Sequence, residues 1–178
     1  MDPYTFFSGN PGLKPSITDA LSVSYTFKRK VASLSYSYTA NPITNFSPTV
    51  DPATNKVTLA AENQKSQKTT SLSFSLPFEV TKWWNMQNNI IGTMAQLNAI
   101  YKGESVALTN TYVNVSSAQS FKLPKDYSIE LSAFYFSGGF FGLYKNKPFG
   151  SLDVGLQKKL AKQKSTIRFN GSNIFNLP

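Results

Sequence analysis

Strand after strand, this chain alternates large apolar with small hydroxylated side chains, and no other feature constrains its fold as strongly. Leu21, Val23, Tyr25 and Phe27 are interleaved with Ser22, Ser24 and Thr26. Beyond the basic turn Lys28-Arg29-Lys30, the same code sets Leu34, Tyr36 and Tyr38 against Ser33, Ser35 and Ser37. Successive strand side chains point to opposite faces, so such a ribbon has one apolar face and one hydroxylated face. A transmembrane β-barrel wall is written this way. The alternative is a soluble sandwich or small barrel with the apolar face turned into a core.

The code recurs along the chain. Leu72, Phe74, Leu76 and Phe78 share a face opposite Ser71, Ser73 and Ser75; Ile129, Leu131, Ala133 and Tyr135 oppose Ser128, Glu130, Ser132 and Phe134; Leu152, Val154 and Leu156 oppose Asp153, Gly155 and Gln157. About eight strands follow, over 17–28, 31–40, 56–79, 84–101, 104–122, 126–140, 148–160 and 165–172. The third is expected to bulge or split near 64–69. Between 85 and 98 the alternation weakens, where Asn88-Asn89-Ile90-Ile91-Gly92 interrupts it. The fold class is therefore all-β, an antiparallel meander of about eight long strands forming a β-barrel, partial or closed on itself. Residues 1–16, with Pro3, Gly9, Pro11, Gly12 and Pro15, read as an extended loop, and 17–178 as the β-barrel segment. Further loops are expected at 41–55 and 140–148, and tight hairpins at Lys28-Arg29-Lys30, Lys102-Gly103-Glu104 and around Gln163-Lys164.

Three features favour the membrane wall over the soluble core. These strands are long against a usual length of roughly five or six residues. Aromatics gather near strand ends, so Trp83, Trp84, Tyr101 and Tyr127 are the candidate membrane-interface residues. The polar face is mostly Ser, Thr, Asn and Gln, whereas a soluble domain carries many charges.

Composition removes whole classes of chemistry. With no Cys and no His, thiol nucleophiles, disulfides, Cys/His zinc sites and Ser-His-Asp triads are excluded. The nine acids are scattered at turns and strand ends, without the grouping that calcium or a glycosidase pair needs. No catalytic, cofactor-binding or metal residue is assigned, and no enzyme is expected. The charge of +9 comes from lysines clustered at turns, with only two Arg and no basic helix, so it reads as solvated or headgroup-facing turns and not as a nucleic-acid surface. No run of 18 apolar residues supplies a transmembrane helix. The opening Met1-Asp2-Pro3-Tyr4 lacks the pattern of a secretory signal.

Motifs then become specific. Gly9-Asn10-Pro11-Gly12-Leu13-Lys14-Pro15, preceded by Asp2-Pro3-Tyr4, resembles the segment opening a late barrel portion of TonB-dependent outer-membrane receptors, particularly the outer-membrane β-barrel family of Bacteroidetes. Ser16 stands where that family usually has an acid. Leu76-Pro77-Phe78 with Thr81-Lys82-Trp83-Trp84-Asn85, Ser120-Phe121-Lys122-Leu123-Pro124 with Tyr127-Ser128-Ile129-Glu130-Leu131-Ser132, Leu152-Asp153-Val154-Gly155-Leu156-Gln157-Lys158-Lys159, and Asn173-Ile174-Phe175-Asn176 are similar to later elements of that family, in order.

The resemblance implies a bacterial outer-membrane receptor that takes up a siderophore, a cobalamin or a glycan, energised through a periplasmic coupling partner. It implies that this chain is an internal barrel fragment, since the plug, the coupling segment, earlier strands and a final strand are not found in it. Outer-membrane lipid is the expected surroundings, with no cofactor and no nucleic acid; a small-molecule or glycan ligand would belong to the intact receptor. An excised run of strands has two free edges, so it must close on itself, with the Leu/Tyr/Phe face inward if it folds in water, pair with another copy, or aggregate. The alternatives are a soluble small barrel holding an apolar ligand, or a surface adhesion or structural β protein.

Overall fold

The computed structural model describes residues 5–101, 104–141, 144–160 and 165–177, and every element in them is a strand. They run β1 (Thr5–Ser8), β2 (Ile17–Phe27), β3 (Lys30–Ala40), β4 (Ile43–Val50), β5 (Val57–Asn63), β6 (Ser66–Thr81), β7 (Trp84–Tyr101), β8 (Glu104–Leu123), β9 (Tyr127–Phe136), β10 (Gly139–Phe141), β11 (Tyr144–Asn146), β12 (Phe149–Leu160) and β13 (Ser165–Leu177). Eight of them form one antiparallel sheet in the order β13-β12-β9-β8-β7-β6-β3-β2. Chain neighbours are sheet neighbours wherever no short pair intervenes, so the expected meander is present. β2 and β13 stand at its two ends.

The chain divides into two compact units. The first comprises Met1–Leu21, Tyr36–Thr70 and Met94–Asn110. It contains the three-stranded sheet β1-β5-β4, in which β1 runs parallel to β5 and β4 antiparallel to it. The expected loop at 41–55 thus contains a strand, and the expected strand at 56–79 is two strands broken at Gln64 and Lys65.

The break has a physical cause. The Gln64 backbone N–H donates to the Pro42 carbonyl at 2.8 Å and the Lys65 N–H to the Asn98 carbonyl at 3.0 Å, so the two residues leave a single ladder. The Gln64 side chain donates to Thr44 Oγ1 and accepts from the Ile100 N–H. Beside it, Asn63 accepts from the Lys14 N–H and donates to the carbonyls of Lys14 and Asn41. Asn10 folds the opening motif: its Oδ1 accepts the Gly12 N–H at 2.9 Å and its Nδ2 donates to the Ala61 carbonyl.

The second unit comprises Ser22–Ser35, Ser71–Thr93 and Thr111–Pro178. Its hairpin turns at 28–29, 82–83 and 124–126 fall at one edge of the sheet; the hairpins expected at 102–104 and around 163–164 lie wholly or partly outside the described residues. Lys28, Lys125 and Asp126 take positive φ of 54°, 60° and 60°, the left-handed geometry that tight hairpins demand. The connection from β9 to β12 carries the short pair β10 and β11. It leaves β9 through Gly138, at φ 81°, where a Cβ would lie 2.8 Å from the Asn146 carbonyl oxygen. The expected strand over 126–140 ends at this kink.

The described apolar side chains build almost no buried core. Among the described residues, Ala99 alone is a buried hydrophobic, whereas Gln64, Ser66 and Thr93 are buried polar groups. Leu21 is 70% and Tyr25 68% exposed. On β3 the usual rule is inverted: Leu34, Tyr36 and Tyr38 are exposed while Ser33, Ser35 and Ser37 are half-buried. Hydrogen bonding more than apolar packing holds the sheet together, and its apolar side chains are left exposed or half-buried.

Candidate functional site

Register turns the sequence code into two surfaces. Across β8, β9, β12 and β13, one face carries the rows Phe121/Ile129/Leu156/Phe169 and Ser117/Ala133/Leu152/Phe175. The other carries Ser120/Glu130/Gly155/Asn170 and Lys122/Ser128/Gln157/Arg168. Neighbouring strands therefore agree in phase, as they must for a continuous apolar surface to form. β9 has 10 residues and β12 has 12, close to the roughly 9–11 that a tilted strand needs to cross a hydrocarbon layer.

At the turn edge of the second unit the apolar face ends in aromatic rings. Trp83 and Trp84 stack with centroids 6.3 Å apart, and Phe121 lies 5.7 Å from Trp84. Tyr127 lies one row closer to the turn, under the Lys158 ammonium at 3.7 Å from its centroid. Lys158 Nζ also donates to the Lys125 carbonyl, so this side chain runs along the apolar face and delivers its charge to the turn. Two further lysines behave alike: Lys30 Nζ sits 4.3 Å from the Phe78 centroid and Lys28 Nζ 5.5 Å from that of Phe27.

Of the four aromatics expected as one group, the structure brings Trp83 and Trp84 together and puts Tyr127 at the same edge. Tyr101 closes β7 in the first unit, and its side chain lies outside the described residues. Phe27, Phe78 and Phe121 were missed as members of this group. Each sits within four residues of a turn on the apolar phase, a signal already readable from the alternation.

The weak alternation between 85 and 98 acquires a meaning here. Asn88 falls on the apolar phase, and its Oδ1 accepts from Ser117 Oγ at 2.7 Å. Ser117 accepts from Gln119 Nε2, whose Oε1 accepts from Trp84 Nε1, both at 2.8 Å. Three hydrogen bonds thus link the polar groups of this seam, which lowers the cost of placing them in an apolar surface. A shallow groove of about 340 Å³ lies beside the seam, lined chiefly by Val115, Ala133, Tyr135, Leu152 and Phe175.

The hydroxylated face has its own network. Ser71 and Thr93 share a hydrogen bond of 3.1 Å, Gln87 donates to Ser75 and Asn89, and Asn89 donates to Ser116. An open recess of about 390 Å³ on this face is bordered by Arg29, Asn85, Gln87, Ser120, Glu130 and Ser132. Farther from the turn edge, Tyr112, Phe134, Phe136 and Phe149 meet with ring centroids 5.4 to 5.7 Å apart.

Titratable groups offer little chemistry. Asp51 is held below its usual carboxylate range, mainly by the Thr54 hydroxyl at 2.6 Å and then by the Ala53 N–H at 2.9 Å. It caps the 51–56 turn between β4 and β5. Among the described residues no group of acids is placed to hold a metal ion.

A family model described as an outer membrane protein beta-barrel family matches residues 1–177. No curated protein and no solved structure matches the chain.

Proposed function

The chain belongs to the outer membrane protein beta-barrel family and to the bacterial outer membrane, and from that premise we propose that it forms wall strands of a TonB-dependent nutrient receptor. The supporting observation is the sheet's two-sidedness without a core. The apolar rows are left to hydrocarbon, and the Ser, Asn and Gln rows line the wet side of the wall. Trp83, Trp84 and Tyr127 anchor it at the interface, where amphipathic rings are most stable.

In this reading the segment neither catalyses a reaction nor energises transport. It supplies a rigid wall, and its hydroxylated face offers hydrogen-bond partners to a passing ligand of the siderophore, cobalamin or glycan class. Coupling to a periplasmic energy source is the task of other parts of the receptor.

The test is uptake in the producing bacterium, scored with labelled ferric siderophore, cobalamin and oligosaccharide. Deleting the gene and deleting the energy-coupling protein are expected to abolish uptake of the same one of these. Unchanged uptake of all three after the gene deletion, or uptake that survives loss of the coupling protein, contradicts the proposal.

A further inference from the structure

We propose that the turn edge of the second unit is a binding surface for anionic phospholipid headgroups in the adjacent leaflet. The inference rests on the outer-membrane location and is independent of what the barrel transports.

Three observations converge on it. First, the hairpin turns concentrate positive charge: Lys28, Arg29 and Lys30 in one, Lys82 in the next, Lys122 and Lys125 around the third, with Glu79 and Asp126 as the nearby acids. Second, the ammonium groups are held at a defined height. Lys30, Lys28 and Lys158 each lie over a ring of the apolar phase, namely Phe78, Phe27 and Tyr127. Each ring marks the end of the hydrocarbon-facing surface, so each charge sits where a lipid phosphate begins. Third, Trp83 is exposed beside this row and stacked on Trp84, which places indole rings at that same depth.

Charge complementarity selects the occupant. A zwitterionic headgroup brings its own ammonium into a row that is already cationic, whereas a phosphatidylglycerol-type headgroup brings a net negative charge. Attraction between basic residues and anionic leaflets acts near the surface and is screened by salt. Outer-membrane barrels carry their short turns on the periplasmic side. The partner is therefore an anionic phospholipid of the periplasmic leaflet.

The two tryptophans are the chain's only ones and both lie at this edge, so intrinsic fluorescence reports on it directly. The whole chain is refolded into phosphatidylcholine vesicles containing equal mole fractions of either dibrominated phosphatidylglycerol or dibrominated phosphatidylcholine. Quenching by the glycerol lipid is expected to exceed quenching by the choline lipid about twofold or more, and the difference to shrink in high salt. Substituting Lys28, Lys30, Lys82, Lys122, Lys125 and Lys158 by Gln together is expected to remove most of the difference while strand content by circular dichroism persists. Equal quenching of the native chain by the two lipids, at blue-shifted emission, overturns the proposal while leaving membrane insertion intact. Unquenched, water-like emission with both lipids overturns it together with the membrane placement.

Discussion

At the scale of single residues, Asp51 and Val154 separate what water governs from what the bilayer governs. Asp51 is exposed, and its carboxylate accepts from Thr54 and Ala53 in the folded turn, which lowers its pKa from 3.8. A depressed carboxylate stabilises the fold fully above its unfolded pKa and loses that contribution as pH falls through the folded value. The 51–56 turn is therefore expected to loosen only below about pH 4, read as faster amide exchange at Ala53, and Asp51→Asn to abolish the pH dependence. Val154 lies on the apolar phase midway along β12, paired with Leu131 and Gly171. Val154→Arg is expected to cost about 2–4 kcal/mol in bilayer-folded protein, and Ser132→Arg, on the opposite face, under about 1 kcal/mol. Urea titration of both variants refolded in vesicles measures the difference; equal costs would contradict the assignment of faces.

At the scale of elements, the long strands were legible because a period of two over ten or more residues has no competing explanation. Ile17–Phe27, Lys30–Ala40 and Trp84–Tyr101 fall within a residue of the expected bounds. The short elements were not legible. β4 lies in a stretch rich in Pro and Asn, and its formation depends on β5, which pairs with it from Ile43 to Val50. The break at Gln64 was foreseen as a bulge or split, but its cause is a set of tertiary hydrogen bonds to Pro42, Thr44, Asn98 and Ile100 that no local pattern encodes. Gln64 is only 6% exposed, so Gln64→Ala is expected to destabilise the first unit by about 1–3 kcal/mol by stranding the Ile100 N–H. Hydrogen exchange at Ile100 checks this, and unchanged protection would show that the clip is dispensable. Among the site residues, pairing of Trp83 with Trp84 could be read from adjacency, whereas Phe121 reaches them only through the β7 and β8 register.

At the scale of the whole molecule, the near absence of a buried apolar core among the described residues is a matter of solvent. Alternation alone states that two faces differ, and the same code serves a sheet whose apolar side meets a core or one whose apolar side meets lipid. Side-chain chemistry opposite the apolar rows decides between them: hydroxyls and amides hydrogen-bond one another across β6, β7 and β8, and few charges stand ready to face bulk water. The chain is accordingly expected to aggregate in buffer without amphiphile and to show a strand-type circular dichroism spectrum once detergent micelles are added. A soluble monomer with full strand content in plain buffer would contradict this. The most direct measurement uses the absence of cysteine: a nitroxide is attached at each of positions 128–135 in turn, and the whole chain is refolded into phosphatidylcholine vesicles. Collision with oxygen is predicted to peak at 129, 131, 133 and 135, and collision with a water-soluble nickel chelate at 128, 130 and 132. The opposite phase, or no alternation at all, would contradict a wall with hydrocarbon on its apolar face and water on its hydroxylated one.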